Sequence, residues 1–544
     1  MNVMNVLPKR CVCRQLIMQI RFYQSVLDNI TNNSTNPHIN TEEIVSIRKC
    51  MLELTENPLQ RKSSCSNKKK MRTFHSIPTP KGLPIIGTIF DLLSSGGAPM
   101  IHEYCDRRHR ELGPIYRECL GSVDAVFVAD SDLIQQVYSN EGKYPKHMVP
   151  EPWIIYNEMY GKQRGLFFMD GQKWSQRRKS LNKVFLKQRS VSEYSDEFNN
   201  VISELLQRWL IIRDNKNTLP NLEKELYNWS IESLGTMIFG RRLGCVQAEK
   251  LGDIHEFVHC VQQIFLESAR MTMIPPRLAS LLNLPVWKRF VKAANRALEL
   301  AQSYVEENVT EIIKKANTGE PVEGILSQLL LKDKIEGEEI VRIITDLFLA
   351  AADTTSHATQ WTLYLLAKNP RCQYKLLDEV SKIVGTNEMI NESHLVHLPY
   401  VKAIIKEALR IYPVAPFLTR ILSKDITLNE YLIPKGTLIL MSLYTTGRDQ
   451  KYYSSPNHFY PERWIRDSEF SNAINSYAFL PFGIGSRSCI GRRVAELQMQ
   501  FLITRIVQLF HLQLENKDDV NIKMRMITTP DQPIHLQMIE RKMN

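Results

Sequence analysis

The chain has 544 residues, 43% of them hydrophobic, enough for one large domain or several small ones. Its net charge of +11 is uneven: residues 1–72 hold 12 Lys and Arg against 5 Asp and Glu, a net +7, which leaves the remainder nearly balanced. Nucleic-acid binders concentrate basic charge on the folded body, so this distribution argues against one, and ten scattered cysteines without a Cys-x-x-Cys pair argue against a zinc site or a disulfide scaffold.

The first 27 residues contain Lys9, Arg10, Arg14 and Arg21 and no acid. From Arg14 to Leu27 the chain can form a basic amphipathic helix, with Leu16, Ile17, Ile20 and Leu27 near one side. That is the composition of a mitochondrial transit peptide; the competing reading is a disordered basic tail. No apolar run there approaches the roughly 20 residues of a membrane span. Residues 31–72 are rich in Asn, Ser and Lys and read as leader or linker. The expected division is therefore 1–72, transit peptide and polar linker, and 73–544, one catalytic domain. Its start, Ile77 to Gly87, carries three prolines and two glycines, which forbid helix and stiffen the chain.

Beyond Ile89 the spacing predicts long helices at 189–212, 219–240, 253–269, 287–316 and 336–367. Strands are predicted at Pro114–Cys119, Ala125–Val128, Tyr431–Ile433 and Thr437–Met441. The balance is mainly α with small β-sheets. The last long helix is apolar enough to suggest a membrane span, but Arg342, Asp346, Asp353 and His357 would each be costly in lipid, so it reads as a buried helix of a soluble body. Within it Asp353-Thr354-Thr355 breaks the propensity rule, since all three residues prefer caps and turns. Such breaks tend to mark function.

Near the C-terminus stands Phe482-Gly483-Ile484-Gly485-Ser486-Arg487-Ser488-Cys489-Ile490-Gly491. A lone cysteine sits in a Gly-rich turn before a helical run. Helix N-terminus and nearby arginine would favour a thiolate. Gly485 permits a tight turn, and Gly491 permits close approach of something flat. An axial sulfur ligand to haem iron explains the pattern best; a buried structural cysteine is the bland alternative, and the default for the other nine.

This segment resembles the haem-binding loop of the cytochrome P450 family, and the likeness runs from about Pro78 to the end. The resemblance implies the P450 fold, with haem b between two helices and Cys489 as the iron ligand, its loop shaped by Phe482, Gly485 and Gly491. Ala350, Asp353, Thr354 and Thr355 match the family's oxygen-groove pattern. Ala351 departs from it, where the family has Gly, and is expected to tighten the groove by one methyl. By resemblance, Thr354 is the hydrogen-bonding alcohol for O2 and Asp353 the proton relay. Glu407, Arg410 and Arg463 resemble the structural ion trio. Trp174, Arg178, Arg420 and Arg487 are the candidates for binding the haem propionates, since Arg suits that fork-like pairing.

No Gly-rich dinucleotide fingerprint and no Fe–S cysteine cluster occurs, so electrons must come from a partner. Lys402, Lys406, Arg492 and Arg493 resemble the docking face that mitochondrial members use for an acidic [2Fe–2S] ferredoxin, itself served by an NADPH-dependent reductase. The resemblance further implies a peripheral protein on the matrix side of the inner membrane. The pocket positions of the family fall on Phe167, Leu347, Ala350, Val414, Phe417 and Thr528, mostly apolar or small, which suits a lipophilic and rigid substrate. The strings Leu347–Thr355 and Glu407–Arg420 look most like the arthropod ecdysteroid hydroxylases, with 2-hydroxylation favoured over 22-hydroxylation. A xenobiotic-metabolising mitochondrial member shares every motif. A haem-thiolate isomerase or dehydratase working without electrons is the alternative of another class; Thr354 and the Lys402/Lys406 pair argue against it.

Overall fold

Apolar residues at three- and four-residue spacing fold as helices through most of the chain. The computed structural model describes residues 71–541, except 84–86, 121–122, 163, 188–190, 248–251, 273, 332–334, 386–387 and 467–474. The expected transit peptide lies outside the described residues, as do parts of the proline-rich start and of the 189–212 helix. Residues Lys70–Asn544 form one compact unit.

The chain begins with α1 (Ile89–Ser94), α2 (Ile101–Leu112), the hairpin β1 (Ile115–Leu120) and β2 (Val123–Val128), α3 (Ser131–Ser139) and α4 (Glu151–Tyr160). The helical middle runs through α5 (Gly171–Phe185), α6 (Ser195–Ile212), α7 (Leu222–Phe239), α8 (Gly252–Arg270), α9 (Pro276–Leu281), α10 (Pro285–Thr318), α11 (Gly324–Leu331) and α12 (Gly337–Lys368). Then come α13 (Pro370–Ile383), α14 (Glu392–Val396), α15 (Pro399–Ile411), β3 (Phe417–Ile421), β4 (Ile426–Leu428), β5 (Tyr431–Ile433), β6 (Leu438–Ser442) and α16 (Leu443–Thr446). The chain closes with α17 (Arg492–Leu509) and β7 (Phe510–Leu514), β8 (Ile522–Arg525), β9 (Ile527–Pro530) and β10 (Leu536–Glu540).

Local chemistry sets several of these boundaries. The carboxylate of Asp130 accepts from the amides of Asp132 and Leu133 at the start of α3. Asn221 caps α7 in the same way through Lys224. Proline occupies the first turn of α4, α9, α10, α13 and α15, where its missing N–H costs nothing.

The largest sheet has the order β1-β2-β6-β3, with β2 and β6 parallel and the other pairs antiparallel. Three two-stranded ribbons pair β10 with β7, β4 with β5 and β8 with β9. The helix α12 is the axis of the main core. It packs against α7, α10 and α15, and is buried along most of both halves. Trp361 near its end stacks on Tyr412 with ring centroids 3.9 Å apart. A helix hydrophobic nearly all round belongs inside a large body, and no described helix is long and apolar enough to cross a membrane.

The five predicted long helices correspond to α6, α7, α8, α10 and α12, and the four predicted strands to β1, β2, β5 and β6. The strands β3, β4 and β7 to β10 were not expected. They are short, and several alternate poorly; β3 with β6 and β7 with β10 pair with segments well separated in the chain, whereas β4–β5 and β8–β9 are tight hairpins.

Candidate active site

The loop from Phe482 to Gly491 folds on itself just before α17. The Cys489 amide donates to the Phe482 carbonyl at 2.8 Å, and the Ser488 amide to the Gly485 carbonyl at 3.2 Å. Gly485 has φ 78°, a region where a side chain is strained. A Cβ there would also lie 2.7 Å from Glu141 Oε1. Cys489 is a free thiol, exposed at its surface although protein crowds it closely, as befits a group on the wall of an internal space. Burial pushes the thiol pKa up; the Gly491 amide, Arg178 and Arg492 pull against that rise.

The arginine two residues earlier takes no part in that balance, contrary to the sequence reading. Arg487 donates from Nε to the Pro145 carbonyl at 2.9 Å, and from Nη2 to the Met169 carbonyl at 2.7 Å and Asp170 Oδ1 at 2.6 Å. Its guanidinium lies over the Trp174 ring at 3.9 Å. The carboxylate of Asp170, at the start of α5, takes up part of its charge. Arg420, on β3, likewise has a protein partner: Nε donates to Glu141 Oε2 at 2.6 Å, with the Tyr138 ring 4.7 Å away. Arg178 is different. It sits one turn after Trp174 on α5, both buried, and its Nε has no hydrogen-bond partner. Burial lowers its pKa, and its charge acts on Cys489.

On α12 a narrow stripe departs from the general burial. Ala350 is exposed, and Leu347, Ala351 and Thr354 are half-buried, while the intervening residues are buried. Positions 347, 350, 351 and 354 share one helix face, so this face borders open space. The Thr354 hydroxyl donates to the Ala350 carbonyl at 2.9 Å. Across the helix the Ala351 carbonyl accepts from Ser230 at 3.2 Å. Asp353 is 3% exposed, and burial pushes its carboxyl up to about 6, against the pull of His357. The helix is pinned further back by Asp346, whose Oδ1 accepts from Arg164 Nε at 2.8 Å and whose Oδ2 accepts from the Gly165 amide at 2.5 Å. That buried pair fastens the loop before α5 to α12.

Glu407 and Arg410 of α15 and Arg463 come together with no exposed surface to speak of. Glu407 accepts from Arg410 Nη2 at 2.7 Å and Nε at 2.9 Å, Arg463 Nε at 2.9 Å, Trp464 Nε1 at 2.9 Å and the Tyr460 amide at 3.1 Å. Arg410 also donates to the carbonyls of Gly447, Pro456 and His458. Burial of these ions is tolerable because they pair with one another, although Arg463 Nη2 is left without a hydrogen-bond partner.

Lys402 and Lys406 of α15 and Arg492 and Arg493 of α17 line one cavity of about 550 Å³, floored by Trp464 and Phe482. Lys406 Nζ lies 5.6 Å from the Trp464 ring centre. Burial lowers the pKa of Lys402, and Lys406 beside it lowers it further. Glu496 offsets part of the charge by pairing with Arg492 at 2.9 Å.

Of the expected pocket residues, Phe167 is exposed, Leu347, Val414 and Phe417 are half-buried, and Ala350 is exposed. Thr528 is a correction. It has no exposed surface, and its hydroxyl donates to the Pro413 carbonyl at 2.9 Å while its amide donates to that of Val414 at 2.9 Å. It clips β9 to the segment after α15 rather than lining a cavity. Sequence reasoning missed Glu141, Arg164 and Asp170 as partners, because nothing local points to them. His357 had a usable signal: it stands four residues after Asp353 on one helix face.

A free thiol at a helix start, an accessible apolar stripe with an alcohol, and a buried guanidinium without counter-charge make a coherent set. They offer an iron ligand, a flat apolar wall and a partner for an acidic group, so the residues fit a haem. The site is thus that of a haem-thiolate protein. Comparison with known proteins agrees. Residues 77–538 match the family described as Cytochrome P450. The chain is 37% identical to Cytochrome P450 315a1, mitochondrial, of Drosophila melanogaster, covering 86% of this chain and 88% of that one. It is 31% identical to sterol 26-hydroxylase, mitochondrial, of Rattus norvegicus, over 90% and 92% of the two chains. With 1,25-dihydroxyvitamin D(3) 24-hydroxylase, mitochondrial, of the same species it shares 29% identity over 85% and 88%. The chain belongs to the cytochrome P450 family, with mitochondrial members among its relatives.

It is therefore a P450 monooxygenase with haem b as cofactor and reduced ferredoxin as electron donor. When bound, the haem supplies dioxygen activation at an iron held by the cysteine sulfur. The chain's residues do the rest. Cys489 is placed to offer a sulfur ligand, and the Gly491 amide and Arg178 favour its charged form. Asp353, with its carboxyl near 6, can both hold and release a proton close to neutral pH.

Proposed function

We propose that this monooxygenase hydroxylates a lipophilic steroid in ecdysteroid synthesis, with 2-hydroxylation the favoured reaction. The observation that carries this is the accessible stripe Leu347, Ala350, Ala351 and Thr354, apolar except for one hydroxyl. Such a wall suits a rigid apolar ring system with few polar anchors. Two relatives, a sterol and a dihydroxyvitamin D(3) hydroxylase, support the substrate class. The test is a panel of ecdysteroid precursors offered to the haem-loaded protein with NADPH, ferredoxin reductase and ferredoxin. A substrate-induced spin-state change and one hydroxylated product at carbon 2 are expected. Product with peroxide alone, or none with any steroid, would defeat the reading.

The roles of the site residues belong to the same proposal. Cys489 ligates the iron, framed by Phe482, Gly485 and Gly491. Arg178, with Trp174, meets a haem propionate, and Arg420 and Arg487 brace that side through Glu141 and Asp170. Thr354 and Asp353 handle the alcohol and acid functions, and Glu407, Arg410 and Arg463 hold the scaffold. The cavity lined by Lys402, Lys406, Arg492 and Arg493 receives an acidic [2Fe–2S] ferredoxin, for complementary charge speeds encounter.

Location follows the relatives, whose names mark them as mitochondrial. Residues 1–72 act as leader and linker, and 73–544 as the catalytic domain. Leu281 is 79% exposed, and Leu278, Leu282 and Met159 share its surroundings where α9 packs on α4. This apolar patch rests on the matrix face of the inner membrane without crossing it.

A further inference from the structure

The buried acid of the site has a basic neighbour that the roles above leave unused. His357 lies on α12 four residues after Asp353 and is 2% exposed. Its Nδ1 is 2.8 Å from the Asp353 backbone carbonyl and 3.5 Å from the Asp353 carboxylate Oδ1. A carbonyl oxygen only accepts, so Nδ1 must carry the hydrogen and neutral His357 must present a lone pair at Nε2. That Nε2 is buried and has no hydrogen-bond partner. It is 3.8 Å from Glu223 Oε1, on α7, too far for a direct hydrogen bond. One water, or a small rotamer change of Glu223, spans that distance.

Glu223 is 37% exposed, and its Oε1 accepts from Gln262 Nε2 at 3.1 Å. With Arg525, Asn228, His259 and Lys224 it lines a cavity of about 350 Å³. The acid, the ring and the cavity thus lie in series between the mid-point of α12 and the surface. The groups facing the ring are Asp353 on its own helix, Glu223 and the edge-on Tyr227 of α7. Arg525 of β8, which lines the cavity with Glu223, also acts on Asp353.

We propose that Glu223 and His357 form a proton inlet that recharges Asp353 from this cavity. A proton leaves the Glu223 carboxyl, directly or through one water, and adds to His357 Nε2. The imidazolium then releases its Nδ1 hydrogen to Asp353 Oδ1. Glu223 has lost one proton, Asp353 has gained one, and the ring has exchanged an Nδ1 hydrogen for one at Nε2. Rotation of the ring restores the Nδ1 hydrogen and the bare Nε2, and Glu223 regains its proton from water in the cavity. His357 acts through Asp353 and is a positioning and relay residue.

The inlet rests on the monooxygenase reading, and the tests separate the two. The first uses the haem-loaded, ferrous, carbon monoxide form labelled with ¹⁵N at histidine. The His357 signal is assigned by its loss in His357→Asn. The expected neutral form carries hydrogen at Nδ1 with a bare Nε2, and the Nε2 chemical shift moves in Glu223→Gln. A neutral form with hydrogen at Nε2, or an Nε2 shift indifferent to Glu223→Gln, overturns the inlet whatever the activity. The second measures product and peroxide per NADPH in the ferredoxin-driven reaction. In Glu223→Gln and His357→Asn, product per NADPH is expected to fall by about tenfold, with peroxide rising in proportion, the modest end of an acid–base loss. The solvent isotope effect should change in both, at wild-type haem content and thermal midpoint. Unchanged coupling and isotope effect in both variants would overturn it.

Discussion

Two buried carboxylates divide this molecule by purpose. Glu407 accepts five hydrogen bonds from four residues and meets two guanidinium groups. Asp353, equally buried, has His357 at 3.5 Å as its nearest ion partner. The same contrast recurs among the arginines: Arg410 is fully engaged, whereas Arg178 leaves Nε without a partner. Satisfied ions hold the scaffold rigid. Arg178 and Asp353, less fully engaged, keep a charge and a proton available, the first close enough to act on Cys489 and the second beside Thr354 in the chain.

The largest effect should come from breaking the satisfied side. Glu407→Ala strands Arg410 and Arg463 in the interior at a cost of about 3–5 kcal/mol. No haem-loaded protein is then expected in a carbon monoxide difference spectrum, and normal haem incorporation would erase the contrast. Next is the unsatisfied acid. Asp353→Asn should cut product formation by about 10²-fold while leaving the fold intact, as haem content would show.

The same variant sharpens the comparison through pH. The Asp353 carboxyl is raised from 3.8 to about 6, so the native state binds this proton more tightly than the unfolded chain does. Its contribution is fully present below pH 4 and is lost as pH rises to 6, on the order of 3 kcal/mol. Urea midpoints of wild type relative to Asp353→Asn should therefore fall across that interval; parallel curves would show that burial does not strain this group.

Arg178→Leu should change the stability of the apoprotein by less than about 1 kcal/mol, while haem leaves faster when challenged with an acceptor globin. A large loss of apoprotein stability would mean that Arg178 is scaffold after all. Smallest is the surface. Lys402→Gln should raise the ferredoxin concentration needed by roughly threefold at low ionic strength, converging with wild type as salt screens the charge.

Much of this was legible in sequence where a motif is local. The turn before Cys489, the polar break at Asp353 in an apolar helix and the three-residue spacing of Glu407 and Arg410 all advertise themselves over a dozen residues or fewer. What spacing could not show is which partner closes each ion pair. Arg420 meets Glu141, Arg164 meets Asp346, and Arg487 meets Asp170 only because separate segments converge. The strand β3 was hidden for the same reason. Its residues follow two prolines and read as a pocket wall until Lys146 and β6 pair with it. Thr528 was misplaced because position in a family pattern says where a segment runs, not which way its hydroxyl is spent.

The guanidinium of Arg487 ties together stretches 317 to 342 residues apart in the chain. Closing loops of that length carries a large entropic cost before any contact offsets it, and distant pairings slow folding. The thiol-bearing turn therefore finds its seat late, after the helical middle has assembled. Cofactor capture at this turn would then be a finishing step, open only once the segments around Pro145, Met169 and Arg487 have met.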